Sequence, residues 1–190
     1  MIFFSKSYRQ YSDEQLMGLI RKGDASSFDE LYKRYSHRLL HFFYRMLNGD
    51  EDKAQDFLQD ICLKIVEKAD TFNPEGKFSS WIFTIASNMC KNEYRSMRKR
   101  ISMDNETIDR NYVGPEKAIE EEIDHKNFCD YLYKELYELG YDKRSVFLLR
   151  FQEHRTIKEI SQILGCAEGT VKSRLFYTTQ LLSNRLKVFR

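Results

Sequence analysis

Proline and glycine are scarce in this chain: two prolines and eight glycines in 190 residues. Both residues interrupt helices, so their scarcity leaves long helical stretches unbroken. Period-two alternation of apolar and polar residues is nearly absent as well, which excludes a β-rich fold. The four cysteines, Cys62, Cys90, Cys129 and Cys166, show no CxxC spacing, which argues against a disulfide framework or a structural zinc site. Cys62 and Cys90 fall at apolar positions of helical patterns and read as core thiols. His125 and Cys129 lie four apart, but no third or fourth ligand follows them, so no metal and no other cofactor is expected. No apolar run approaches the ~20 residues of a membrane span, and the amino terminus, MIFFSKSYRQ, is too short in apolar residues for a signal peptide. Free thiols without an export signal place the chain in the cytoplasm, with no membrane insertion.

An excess of one charge is missing overall, since the formal net charge is only +2. That balance hides segregation along the chain. Lys91, Arg95, Arg98, Lys99 and Arg100 face a single acid, Glu93. Residues 102–124 then carry Asp104, Glu106, Asp109, Glu116, Glu120, Glu121, Glu122 and Asp124 against Arg110 and Lys117. From 140 onward the basic residues Lys143, Arg144, Arg150, Arg155, Lys158, Lys172, Arg174, Arg185, Lys187 and Arg190 outnumber Asp142, Glu153, Glu159 and Glu168. Basic, acidic, basic in succession points to two nucleic-acid-binding ends and a middle that binds none.

The patterning predicts an all-α chain of two small helical domains, residues 12–100 and 125–187, joined by a flexible acidic linker over 101–124. Ser12 with Gln15, and Ser27 with Glu30, read as capping boxes at two helix starts. Phe28, Leu31, Tyr35, Leu39, Phe42 and Met46 keep helical spacing along the second helix. Asn48-Gly49-Asp50 is a turn. A third helix is expected from about Glu51 to Ala69, and a fourth from Phe78 to about Lys99 after the loop at 71–77. A short helix around Ser145–Gln152 precedes the last pair. In that pair Thr156 and Glu159 make a capping box, Ile157, Ile160 and Leu164 an apolar face, and Gly165 a left-handed stop. The next helix carries Glu168, Thr170, Lys172, Ser173, Arg174 and Tyr177, with Val171 and Leu175 as its anchors. A helix-turn-helix with polar and basic residues on its second helix is a device for reading a DNA major groove.

Two further constellations carry chemistry. Thr84, Asn88, Lys91, Arg95 and Arg98 form a polar, basic stripe along the fourth helix, opposite Phe78, Ile82, Ile85 and Met89. The loop before it offers Phe72, Asn73, Glu75 and Lys77 to stack on and hydrogen-bond an unstacked base. Such a positive track with base platforms suits single-stranded nucleic acid, at roughly 1–3 kcal/mol per stacked base. Asp56, Gln59 and Asp60 lie on one face of the third helix and suit a basic protein partner.

These motifs together resemble the bacterial sigma factors of RNA polymerase, in particular the two-domain extracytoplasmic-function class. AQDFLQDICLKIVEKADTF, residues 54–72, is similar to the segment by which that family binds core polymerase, with Asp56, Gln59 and Asp60 on its Asp, Gln and acidic positions. FSSWIFTIASNMCKNEYR, residues 78–95, resembles the helix that melts and reads the −10 element, including Trp81 and Asn88. GTVKSRL, residues 169–175, resembles the recognition-helix motif for the −35 element. The chain departs from the family at Val66, where an aromatic residue is usual, and at Cys62, Cys166 and Thr178-Thr179. The resemblance implies a non-enzyme whose partners are core polymerase, promoter DNA and an anti-sigma factor. Strand opening would then be driven by binding energy, set against a few kcal/mol to flip a base. The rival reading is a stand-alone operator-binding regulator that uses only the helix-turn-helix. An enzyme such as a strand-transfer protein would need an acidic metal cluster or a supported nucleophile, and none assembles before Arg100.

Overall fold

The computed structural model describes residues 8–103 and 125–189. Eight α-helices run through them: α1 Asp13–Ile20, α2 Ala25–Met46, α3 Glu51–Glu67, α4 Phe78–Met103, α5 His125–Tyr137, α6 Tyr141–Phe151, α7 Ile157–Leu164 and α8 Glu168–Arg185. No strand occurs among the described residues. The acidic segment expected as a linker falls outside them from 104 to 124, while its first three residues continue α4.

Local chemistry sets most of the helix starts. Ser12 and Gln15 exchange the two hydrogen bonds of a capping box at α1, and Thr156 and Glu159 do the same at α7. The box expected at Ser27 does not form. Asp24 caps α2 instead and accepts the Ser27 backbone N–H at 3.1 Å, while Glu30 pairs with Arg34 at 2.9 Å. A carboxylate three residues upstream outcompetes the hydroxyl, and Ser27 ends inside the core. Asn48 (φ +60°) and Gly49 (φ +81°) make the tight turn before α3, whose cap is Asp50. The helix placed at Ser145–Gln152 starts four residues earlier, at Tyr141, directly after Gly140.

The first four helices enclose an aromatic core. Phe42 meets Phe83 edge-on at 5.4 Å, Phe43 meets Phe57 at 5.4 Å, and Tyr35 meets Phe78 at 5.0 Å. Leu16, Leu31, Leu39, Ile61 and Ile82 fill the spaces between them. The last four helices bury Leu136, Val146, Leu149, Ile160, Ile163, Val171 and Leu182. The two sets do not stand apart. Helix α7 packs on α4, α6 on α2 and α4, and α5 on α2, so one apolar core runs continuously through both.

Gly165 takes φ +62° and ends α7 as the sequence requires. His154 also adopts a left-handed φ, +52°, in the turn between α6 and α7. That conformation is unusual for a non-glycine residue. It lets its two neighbours, Glu153 and Arg155, both bury their side chains while His154 stays exposed.

Phe42 is fully buried at the centre of the aromatic cluster. Phe42→Ala should cost about 3–5 kcal/mol through lost contacts and a residual cavity. The thermal midpoint, followed by circular dichroism, should fall by roughly 6–20 °C.

Candidate nucleic-acid and polymerase interfaces

Three surfaces collect the residues singled out by sequence. The first lies on α3. Ala54, Ile61 and Ile65 point into the core, which turns Asp56, Gln59 and Asp60 outward, and all three are exposed. Leu63 and Val66 continue the same exposed face and are 62% and 55% accessible. Acids followed by two bare aliphatic side chains give a surface with an electrostatic end and an apolar end. The apolar end was readable by carrying the α3 spacing three residues further. Val66 supplies it with less area than the aromatic residue usual in the resembling family.

The second surface runs along α4 and the loop before it. Asn73 Oδ1 accepts the Glu75 backbone N–H at 3.1 Å, an Asx turn that shapes the loop. Asn73, Glu75 and Lys77 are exposed. Phe72 is not: it is buried, its ring edge-on to Phe78 and to Trp81, at 5.6 Å from the latter. Phe72 therefore holds Trp81 in place rather than offering a stacking face, whereas Trp81 is only half-buried. Trp81, Thr84 and Ser80 form one wall of a cavity of about 500 Å³ together with Asn73 and Lys77. The Thr84 hydroxyl donates to the Ser80 carbonyl at 2.9 Å. Further along, Asn88, Arg95 and Arg98 are exposed and Lys91 is half-buried. Lys91, Arg95 and Arg98 line a second, larger cleft of about 600 Å³ with Lys143 and Arg185.

The third surface is the exposed side of α8. Val171, Thr178 and Leu182 face the core, which presents Lys172, Ser173, Phe176 and Tyr177 as a contiguous exposed row. Phe176 and Tyr177 are 62% and 60% accessible and meet edge-to-face at 5.5 Å. Glu168 stands exposed in the first turn and Thr170 is half-buried. Arg174 does not join the row. Its guanidinium turns back to Asp142 of α6 at 3.1 Å and lies 3.8 Å from the Cys166 sulfur. Asp142 is remote in sequence, so spacing on α8 alone could not reveal the pairing. Phe176 takes the place in the exposed row that the sequence assigned to Arg174.

An ion pair joins the second surface to α7. The Lys77 ammonium bonds to the Glu159 carboxylate at 2.8 Å. That contact, with the Thr156 backbone N–H, holds the Glu159 carboxyl at about 2, so the carboxylate stays ionised through the neutral range. Burial pushes the Cys62 and Cys90 thiols up, away from nucleophilic chemistry. No helix among the described residues is long and apolar enough to cross a membrane.

Comparison with known proteins fits this geometry. The family model for Sigma-70 region 2 matches residues 31–100, and that for Sigma-70, region 4 matches residues 129–176. The chain is 26% identical to the RNA polymerase sigma-H factor of Pseudomonas aeruginosa, over 94% of this chain and 95% of that one. It is 26% identical to the ECF RNA polymerase sigma-E factor of Escherichia coli K12, over 94% and 96%. Among solved structures, the sigma factor RpoE of Bartonella quintana, in complex with the anti-sigma factor NepR, superposes with a TM-score of 0.68. It shares 28% identity over 86% of this chain and 98% of that one. CnrH, solved with the cytosolic domain of CnrY, shares the fold at a TM-score of 0.68 and 20% identity. With one domain on either side of its acidic segment matching the two sigma regions in order, the chain belongs to the extracytoplasmic-function sigma factors, the non-catalytic subunits that direct RNA polymerase to promoters.

Proposed function

We propose that the three surfaces divide the work of promoter recognition between a domain at residues 12–100 and another at 125–187. The exposed row of α3 docks on core polymerase through Asp56, Gln59 and Asp60, with Leu63 and Val66 burying apolar area beside them. The loop at 71–77 and the α4 stripe hold the melted −10 strand. The exposed row of α8 enters the major groove of the −35 element. The observation that carries this reading is orientation: each row is turned outward by an opposite face of the same helix that is locked in the core. No reaction is needed. Melting is driven by exchanging stacking in the duplex for capture in the Trp81–Lys77 cavity and for phosphate contacts with the stripe. The chain acts where polymerase and chromosome are, in the cytoplasm. The relative solved with the anti-sigma factor NepR supports an anti-sigma partner for this chain.

Polymerase binding tests the first surface. Asp56→Lys/Asp60→Lys reverses two exposed charges and should weaken core affinity at least tenfold without changing the melting temperature. An unchanged affinity in a titration against core polymerase would remove α3 from the interface.

Promoter opening tests the second. Lys91→Ala/Arg95→Ala should impair permanganate reactivity at the −10 element, and a pre-melted bubble should partly restore transcription. Normal reactivity on duplex promoter would reduce the stripe to a solvated face.

The third surface gives a split between residues. Lys172→Ala should weaken promoter binding. If Lys172 reads a guanine, the loss is confined to one −35 position and amounts to about 1–3 kcal/mol. If it meets phosphate, every promoter weakens alike and the salt slope falls by about one. Arg174→Ala, which breaks the pair with Asp142, should instead lower thermal stability. A −35 substitution panel at several salt concentrations, with melting curves for both variants, separates these outcomes.

A further inference from the structure

Helix α2 carries on its outer side a histidine pair that none of the three surfaces uses. Leu31, Tyr35, Leu39, Phe42, Phe43 and Met46 of this helix are sunk in the core, which leaves His37 and His41 exposed. The two are four positions apart, so their side chains leave the same face, one turn above the other. Their ring centroids are 4.3 Å apart, with the rings tilted by 54°. The Nε2 atoms are closer still, at 3.1 Å. The rings therefore lean together tip to tip instead of spreading into water.

Two nitrogens at that distance can share one proton or one metal ion. As a hydrogen bond, one Nε2 donates and the other accepts, which fixes opposite tautomers. As a chelate, each ring keeps its proton on Nδ1 and both Nε2 lone pairs meet the ion. Metal–nitrogen bonds of about 2.0–2.1 Å across the 3.1 Å separation subtend roughly 95–100° at the ion. That angle lies between the octahedral and tetrahedral values, so the pair has the bite of a bidentate ligand without moving. We propose that His37 and His41 form a chelating site for a divalent late first-row transition ion, nickel or zinc. Imidazole suits those ions, whereas magnesium and calcium take oxygen ligands.

The surroundings favour neutral rings. Partial desolvation, then the neighbouring His37 and the Arg45 charge, pushes the His41 pKa below the ordinary histidine value, against a smaller opposing pull from Glu153. Neutral imidazole is the form that binds metal. The arginines that flank the pair on α2 are held elsewhere. Arg34 pairs with Asp13 and Glu30, and Arg38 with Glu153. Arg45 bonds to Gln152 and lies over the Tyr133 ring, 3.9 Å from its centre. No group of three histidine, cysteine or carboxylate ligands forms among the described residues, so water fills the remaining positions on the ion. A bound ion ties consecutive turns of the helix that supplies much of the aromatic core, and binding to the folded chain alone adds to its stability.

Neither histidine lies on the polymerase, −10 or −35 surface, so the test needs no promoter. The full-length chain, reduced and free of chelators, is titrated with nickel chloride and with zinc chloride by calorimetry. Wild type is compared with His37→Ala, His41→Ala and the double variant. The control is His125→Gln/His154→Asn, which removes the other two histidines; asparagine tolerates the left-handed backbone at 154. Both members of the pair are exposed, so circular dichroism should show the helices of their variants intact. Each single variant should lose about tenfold or more in affinity, because the second imidazole of a chelate binds as an intramolecular group. The control should bind as wild type does. Nickel should broaden the imidazole NMR signals of His37 and His41 before any others, and zinc should raise the melting temperature of wild type but not of the double variant. If wild type binds neither ion more tightly than the double variant, or if the control loses the site, the proposal is overturned and the pair only shares a proton.

Discussion

The guanidinium of Arg144 is where the two halves of the molecule depend on each other. It is buried, and its partners are carbonyl oxygens and one side-chain amide rather than a carboxylate. It donates to Leu136, Tyr137 and Leu139 at the end of α5, and to the Met46 carbonyl and the Asn48 side chain at the end of α2. Helix carboxy termini carry partial negative charge and unpaired carbonyls, so two of them facing one cation offset the cost of its burial. Burial still pushes its pKa down. With α5 ended in this way, the chain turns at Gly140 and starts α6 in contact with α2. This places α7 alongside α4. The end of α5 and the docking of the last helices on α2 thus share one residue.

Much of this was legible in the sequence because it is local. The capping boxes at Ser12 and Thr156, the stop at Gly165 and the apolar spacing of α2 and α4 all depend on residues within a few positions of one another. Helix ends were misjudged where two local solutions competed: Asp24 and Ser27 could each cap α2, and the Asp24 carboxylate takes the role while Ser27 is buried. The outward direction of Asp56, Gln59 and Asp60 was likewise set by Ile61 and Ile65 on the same helix.

What the sequence hid was long-range. Arg174 has the right residue type and spacing for a groove contact, yet Asp142 of the neighbouring helix α6 takes it. Phe72 looks like a stacking platform in a polar loop, but the Phe78 and Trp81 rings in the first turn of α4 draw it inward. The arginines of α2, Arg38 and Arg45, show no motif at all. Their meaning comes from Glu153 and Gln152, more than a hundred residues on. A pattern on one helix cannot reveal which face another domain will cover.

The left-handed residue His154 gives that cover a particular mechanical character. Because its backbone reverses direction within one residue, Glu153 and Arg155 are driven into the amino-terminal domain from a single tight turn, one toward α2 and the other toward α4. Both hang from the one left-handed turn, so its backbone sets where each of them points. The turn is a two-pronged clamp on one stem: a change of backbone at His154 would displace the Glu153 contact on Arg38 and the Arg155 contact on Ser79 together.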